Sequence, residues 1–204
     1  MKFLEELSFP ERIVDAYEKT FEWVYRNPVE SARTWANFAD WLRDVSKSSL
    51  FWITGKPGSR KSALMKFLYH SLLTEATLQS WSLSVPLVTS AFFFWNSGSK
   101  IQMSQPGLLQ TLLYQALSKH IDLIPRVCPE RWDVCRLFGY DPFPWTREDL
   151  LQAMGALVQE GCKTNKFFFL IDGLDRFEGV YEEQQDLVTL LRDIAKSPNV
   201  KMCV

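Results

Sequence analysis

Residues 55–62 read Gly-Lys-Pro-Gly-Ser-Arg-Lys-Ser, and this stretch decides the fold class that the sequence predicts. It follows the apolar run 50–53 and leads into residues 63–68, which have the composition of the first turns of a helix. A strand, a glycine-rich turn, Lys-Ser and a helix form the context of the phosphate-binding loop pattern G-x-x-x-x-G-K-[ST]. Backbone N–H groups of such a loop surround an anion, and the helix N-terminus adds partial positive charge. The sequence therefore predicts a phosphate site between a strand and a helix.

One residue of this loop departs from the pattern. Lys61 is placed to reach the terminal phosphates and the Ser62 hydroxyl can hold Mg²⁺, but Arg60 stands where the pattern has glycine. A side chain there costs about 1–3 kcal/mol if the backbone needs a glycine-like conformation. A guanidinium near phosphate returns about 1–4 kcal/mol of attraction. We therefore expect nucleotide binding to persist and hydrolysis to be slow or absent. The other interpretation is a lysine-bearing turn before an ordinary helix.

A second element supports the phosphate-site interpretation. Residues 167–171 form a continuous apolar run that ends in Asp172. A run without polar alternation predicts a strand buried on both faces of a parallel sheet. A carboxylate at the carboxyl end of such a strand lies where open α/β sheets bind ligands, and it can hold Mg²⁺ through water. The alternative role for Asp172 is that of a helix cap.

Composition and charge disfavour several classes of partner. The chain has 204 residues, a net charge of −1 and scattered Lys and Arg residues, so we expect neither nucleic acid nor an anionic membrane as a partner. The longest apolar stretches, 91–95 and 167–171, are too short to span a bilayer, and acidic residues near Met1 disfavour a signal peptide. We therefore expect a cytoplasmic protein whose cysteines are reduced and form no metal or redox motif. These cysteines are Cys128, Cys135, Cys162 and Cys203.

The hydrophobic pattern alternates strands with helices, which predicts an α/β fold with a parallel sheet covered by helices on both faces. Residues 1–48 are predicted to form a helical lead-in, and residues 49–204 a single P-loop core. The predicted helices are 11–26, 34–46, 61–74, 106–119, 147–160 and 182–196, and the predicted strands are 50–54, 87–95, 166–172 and 200–204. The proline-rich stretch 125–145 is predicted to be irregular. An apolar stripe on helix 34–46 is predicted to face the sheet, with the members Trp35, Phe38, Trp41, Leu42 and Val45.

Four blocks of the sequence together resemble a known family. In chain order they are residues 20–23 (Thr-Phe-Glu-Trp), 51–59 (Phe-Trp-Ile-Thr-Gly-Lys-Pro-Gly-Ser), 92–98 (Phe-Phe-Phe-Trp-Asn-Ser-Gly) and 171–175 (Ile-Asp-Gly-Leu-Asp). Their combination resembles a fungal NACHT-type domain, and more narrowly the nephrocystin-like N-terminal P-loop NTPase domain of NOD-like receptors. Those receptors belong to the STAND class, the signal-transduction NTPases with numerous domains.

The resemblance implies a switch in which ATP or GTP binding and hydrolysis move the protein between a closed and an oligomeric state. Such receptors are associated with innate immunity and heterokaryon incompatibility, and an effector domain and a repeat array usually flank the NTPase. The resemblance makes Asp172 the Mg²⁺-holding acid, and makes Asp175 the candidate that orients the attacking water. The residues that it assigns to phosphates and metal are Gly55, Gly58, Ser59, Lys61 and Ser62.

Two further departures from the family pattern bear on activity. Arg176 replaces the usual Glu beside Asp175, and the chain ends at Val204, where a fourth strand would lead to a sensor of the terminal phosphate. We therefore expect a core that is C-terminally truncated, either a piece of a longer protein or a shortened paralogue, and we expect it to self-associate. Two functions stay open: a nucleotide-binding switch with impaired hydrolysis, and a pseudo-NTPase that serves as an interaction or scaffold module.

Overall fold

The computed structural model describes residues 20–27, 35–45, 48–56, 58–95 and 99–204. Within these residues the chain folds into a four-stranded parallel sheet and eight α-helices, so the predicted α/β fold is confirmed. The strands are β1 (Leu50–Phe51), β2 (Leu87–Phe93), β3 (Lys166–Asp172) and β4 (Val200–Cys203). The helices are α1 (Phe38–Arg43), α2 (Lys61–His70), α3 (Leu72–Ser82), α4 (Gln105–Lys119), α5 (Ile124–Val127), α6 (Pro129–Phe138), α7 (Arg147–Ala156) and α8 (Tyr181–Ile194).

The strand order β1-β4-β3-β2 places β4 between the strand that precedes the loop and the strand that ends in Asp172. All three neighbouring pairs are parallel, with Phe93 opposite Asp172 and Phe51 opposite Cys203. The carboxyl ends of the strands therefore meet at one edge of the sheet, where α/β proteins bind ligands. This edge carries both the 55–62 loop and Asp172.

The residues of β3 alternate between two separate cores, one on each face of the sheet. Phe167, Phe169 and Ile171 belong to the core formed with α4, α7 and α8. Phe168 and Leu170 belong to the core formed with α1, α2 and α3. The uninterrupted apolar run thus reflects burial on both faces, as predicted.

The lead-in contributes a short helix that packs on the second core. Helix α1 begins after Asn37, whose side chain accepts a hydrogen bond from the Asp40 N–H at 3.1 Å, and Phe38, Trp41 and Leu42 are buried. The predicted helix 34–46 was too long. The backbone becomes extended directly after Arg43. Val45 therefore does not lie on the predicted apolar stripe, and it is 76% exposed.

A buried lysine of β4 joins this helix to the sheet. Lys201 is 3% exposed, and its Nζ donates to the carbonyl oxygens of Trp41 at 2.8 Å and Asp44 at 3.0 Å. The ammonium also lies 4.8 Å from the centre of the Trp41 ring and 5.6 Å from that of Trp81. The C-terminal carbonyls of α1 are therefore satisfied by the sheet rather than by water.

Several predicted boundaries were wrong for local reasons. The strand predicted over 50–54 is paired only at Leu50–Phe51, although Ile53 N–H still donates to the Val204 carbonyl at 2.7 Å. The helix predicted over 61–74 ends at His70, because Ser71 is extended and caps a second helix through the Leu73 N–H. The predicted strand 87–95 ends at Phe93.

The stretch predicted to be irregular, 125–145, holds helices α5 and α6. Its prolines Pro125 and Pro129 lie in the first turns of these helices, where the missing N–H has no intrahelical partner to lose. The predicted helix 147–160 continues from α7 as a π-helical turn over Leu157–Gly161. The predicted helix 11–26 falls mostly on residues 11–19, outside the described residues, and Glu22–Tyr25 form a 3₁₀ turn. In the part of the chain that is described, no helix is both long and apolar enough to cross a membrane.

Candidate functional site

The 55–62 loop connects the end of β1 to the first turn of α2. Within the described part of the loop, Ser59 N–H donates to the Lys56 carbonyl at 3.1 Å, and Gly58 has a φ of 77°. A Cβ on Gly55 would lie 2.7 Å from Ser59 Oγ, so this position requires glycine while the serine stays in place. The N–H groups of the first turn of α2 have no intrahelical acceptors, which leaves them for an anion.

Lys61 is directed back onto this loop. Its Nζ donates to the carbonyl oxygen of Gly55 at 2.8 Å, so the ammonium lies beside the backbone that would surround a phosphate. The residues predicted to hold phosphate, Gly55, Gly58, Ser59, Lys61 and Ser62, thus lie on this loop and in the first turn of α2.

Arg60 has the backbone conformation of the glycine that it replaces. Its φ of 61° and ψ of 27° lie in the left-handed region, and it directly precedes α2. For a residue with a Cβ this conformation costs about 1–2 kcal/mol. The loop has therefore kept the glycine-type geometry and stores strain at this position.

Replacing Arg60 by glycine should raise the free energy of unfolding. Release of the left-handed strain outweighs the greater chain entropy of glycine, so we expect a net gain of about 0.5–1 kcal/mol. Urea unfolding followed by circular dichroism measures it. Arg60→Ala is the matched control, because it removes the guanidinium and keeps the Cβ. An equal gain in both variants would show that charge repulsion, not backbone strain, is relieved.

Asp172 provides an unsatisfied buried carboxylate at the end of β3. The residue is 5% exposed, and its Oδ2 has no hydrogen-bond partner among the described residues. Burial raises the pKa of the neighbouring Cys203 thiol, and the Asp172 charge raises it further, so Cys203 stays protonated. A buried polar atom without a partner marks a position where a ligand or ion is expected.

Lys66 of α2 interacts electrostatically with this carboxylate and with the guanidinium of Arg176. Partial burial lowers the pKa of Lys66, the Asp172 carboxylate opposes that shift, and the Arg176 guanidinium adds to it. Lys66 follows Ser62 by four residues on α2, which places both on one face of the helix. The sequence reasoning missed Lys66, although this spacing was a usable signal.

Arg176 reaches across the sheet edge to the loop. It ends the 3₁₀ turn Leu174–Arg176, which begins after Gly173 with a φ of 80°. Its Nη2 donates to Ser62 Oγ at 3.2 Å and its Nη1 donates to the Phe94 carbonyl at 3.0 Å. Sequence reasoning identified Arg176 only as a replaced acid. These contacts were not visible in the sequence because they join residues far apart in the chain.

The arrangement around Ser62 does not fit a divalent cation. Its hydroxyl, the predicted Mg²⁺ ligand, accepts a hydrogen bond from a guanidinium. Two unit charges 4 Å apart repel by about 4 kcal/mol in a partly screened site, and a dication roughly doubles this figure. Asp172 alone retains the character of a cation ligand. Asp175, the predicted water-orienting acid, is exposed on the same turn as Arg176.

The sheet order, the glycine-rich loop before α2 and the strand-terminal acid define an α/β protein of the P-loop type. The family model described as nephrocystin 3, N-terminal, matches residues 19–204. The chain therefore belongs to the nephrocystin 3 N-terminal family. Comparison with curated proteins gave no match, and comparison with solved structures gave none either.

Proposed function

We propose that this domain binds the phosphates of a nucleotide, ATP or GTP, at the 55–62 loop. The observation that carries the proposal is the position of Lys61, whose ammonium lies on the loop backbone at the N-terminus of a ten-residue helix. The unpartnered Oδ2 of Asp172 lies on the same sheet edge, where a buried polar atom without a partner calls for a water or an ion beside it.

The proposal extends to a switch with impaired hydrolysis, in a fungal NOD-like receptor of the NACHT and STAND type. Family membership and the four sequence blocks support this assignment. Slow hydrolysis follows from Arg60 in the loop and Arg176 at Ser62, because a misplacement of about 1 Å can reduce a reaction rate 100-fold. A cytoplasmic location belongs to the same proposal.

Calorimetric titration with ATP tests the proposal, and Lys61→Ala is the informative variant. We expect the parent chain to bind ATP and the variant to bind it about 10-fold to 100-fold more weakly, because a charge-assisted hydrogen bond contributes about 1.5–3 kcal/mol. Lys119→Ala is the matched control, since Lys119 is exposed at the end of α4. Equal affinities of the parent and both variants would place the nucleotide elsewhere, and GTP competition determines the base preference.

A scaffold role without nucleotide is the second candidate. Helix α6 has no buried residues, and a group of apolar side chains at its end and just after it is exposed. This group consists of Leu137, Phe138, Tyr140 and Phe143, which are 73%, 68%, 66% and 64% exposed. Exposed apolar surface of this kind serves protein contacts. A folded sample that binds neither ATP nor GTP at millimolar concentration would favour this second function, and sedimentation with and without ATP would report self-association.

A further inference from the structure

Arg176 is fixed at two points of the candidate site. One nitrogen of its guanidinium donates to the carbonyl oxygen of Phe94, directly after β2, and the other donates to Ser62 Oγ in the first turn of α2. A guanidinium carries five N–H groups in a planar fork, so these two bonds orient it without using all of its donors. The side chain is half-buried, which limits the competition from water.

The guanidinium thus lies at the hydroxyl that the P-loop pattern assigns to the metal ion. In such loops the cation at the Ser hydroxyl neutralises charge on the phosphates. A guanidinium can do the same, because it donates two parallel hydrogen bonds to phosphate oxygens. Arg176 therefore offers a positive charge from the chain itself, at the place where a bound divalent cation supplies it in other P-loops.

The charges of the surrounding residues agree with this role. The 55–62 loop, the first two turns of α2, the end of β3 and the turn Leu174–Arg176 together carry more cationic than acidic side chains, and the acids among them are Asp172 and Asp175. The cations are Lys56, Arg60, Lys61, Lys66 and Arg176. Such a site attracts a fully ionised polyphosphate, and a divalent cation already bound to the phosphates would reduce that attraction.

We propose that Arg176 takes the place of the divalent cation, so that this site binds the triphosphate of a nucleotide in its metal-free form. The inference rests on the proposed function, and it names the ionic form of the ligand.

Titration calorimetry with ATP in Mg²⁺ buffer and in EDTA buffer tests this proposal. We expect the parent chain to bind ATP in EDTA at least as tightly as in Mg²⁺, and to bind tripolyphosphate in EDTA as well. Arg176→Glu should lose at least 10-fold in affinity in EDTA and recover most of it in Mg²⁺. Arg176→Lys should keep the metal-independent binding. Arg136→Glu, an exposed change of the same charge on α6, should behave like the parent chain.

Two outcomes would overturn the inference, and they are distinguishable. Binding of ATP by the parent chain only in Mg²⁺ buffer, with a loss of 10-fold or more in EDTA, overturns the role of Arg176 and leaves the proposed function standing. No binding in either buffer by a sample that unfolds cooperatively overturns the proposed function, and the inference with it.

Discussion

Substitution of Gly107 by alanine should destabilise the protein by about 3 kcal/mol, in the upper part of the range for overpacking. Gly107 is the third residue of α4, and a Cβ there would lie 1.8 Å from the carbonyl oxygen of Ile101. No rotamer change relieves this overlap, because the backbone fixes the position of the Cβ and the carbonyl oxygen is itself a backbone atom. The turn Lys100–Met103, which contains Ile101, would have to move. Urea unfolding measures the loss.

The same turn joins two segments of the sheet edge, so its displacement should also weaken ligand binding. Gln102 accepts a hydrogen bond from Trp95 N–H at 3.4 Å, and Met103 accepts one from Glu178 N–H at 3.0 Å. Gly155→Ala in α7 is the matched control, since a Cβ there meets nothing within 4 Å. That change should raise stability by about 0.5–1 kcal/mol, the usual gain for alanine over glycine inside a helix. Similar effects of the two substitutions would contradict the close approach at Gly107.

Replacement of Lys201 by methionine should destabilise the protein by about 2–4 kcal/mol. The variant keeps a long apolar side chain and loses the donor shared by the Trp41 and Asp44 carbonyls. Each buried group left without a partner costs about 1–3 kcal/mol. The change also removes a cation from the faces of Trp41 and Trp81. Urea unfolding followed by tryptophan fluorescence reports both the loss of stability and the changed surroundings of these rings.

Lys196→Met provides the comparison for this prediction. The Lys196 side chain is 78% exposed, and its partner Asp193 lies on the surface, so we expect a change within about 0.5 kcal/mol. If Lys201→Met is as stable as Lys196→Met, the contacts between α1 and β4 do not contribute to stability as we infer.

The predictions from sequence were most accurate where the local sequence pattern was clearest. Strand β3 was predicted to the residue, because an apolar run bounded by polar residues has only one consistent interpretation. Helix α3 was missed, because Ser71 interrupts the helical pattern and its role as a cap was not recognised. Helices α5 and α6 were missed because Pro125 and Pro129 predict breaks in a helix, although proline is well tolerated in a first turn.

The candidate site could likewise be predicted from the sequence only in part. The loop and the strand-terminal Asp172 could be predicted because each consists of neighbours in sequence. The hydrogen bond from Arg176 to Ser62 joins residues 114 positions apart, so only the packing of β3 against α2 reveals it. The sequence left open whether Arg60 has a glycine-like backbone, and the structure shows that it does, because the loop keeps its shape and imposes that shape on the residue that replaces glycine.

The two-faced burial of β3 has a consequence for how the strand finds its register. Residues 167–171 are apolar throughout, so a slip by one position would exchange one set of buried side chains for another at little hydrophobic cost. The polar residues at the two ends would not tolerate it. Lys166, which donates to the Trp81 carbonyl at 2.8 Å, and Asp172 share one face of the strand with Phe168 and Leu170. A slip would move both to the face of α4 and carry the carboxylate away from α2. The register of the strand is therefore fixed by its two charged ends. The phenylalanines between them contribute apolar burial, but they do not specify the register.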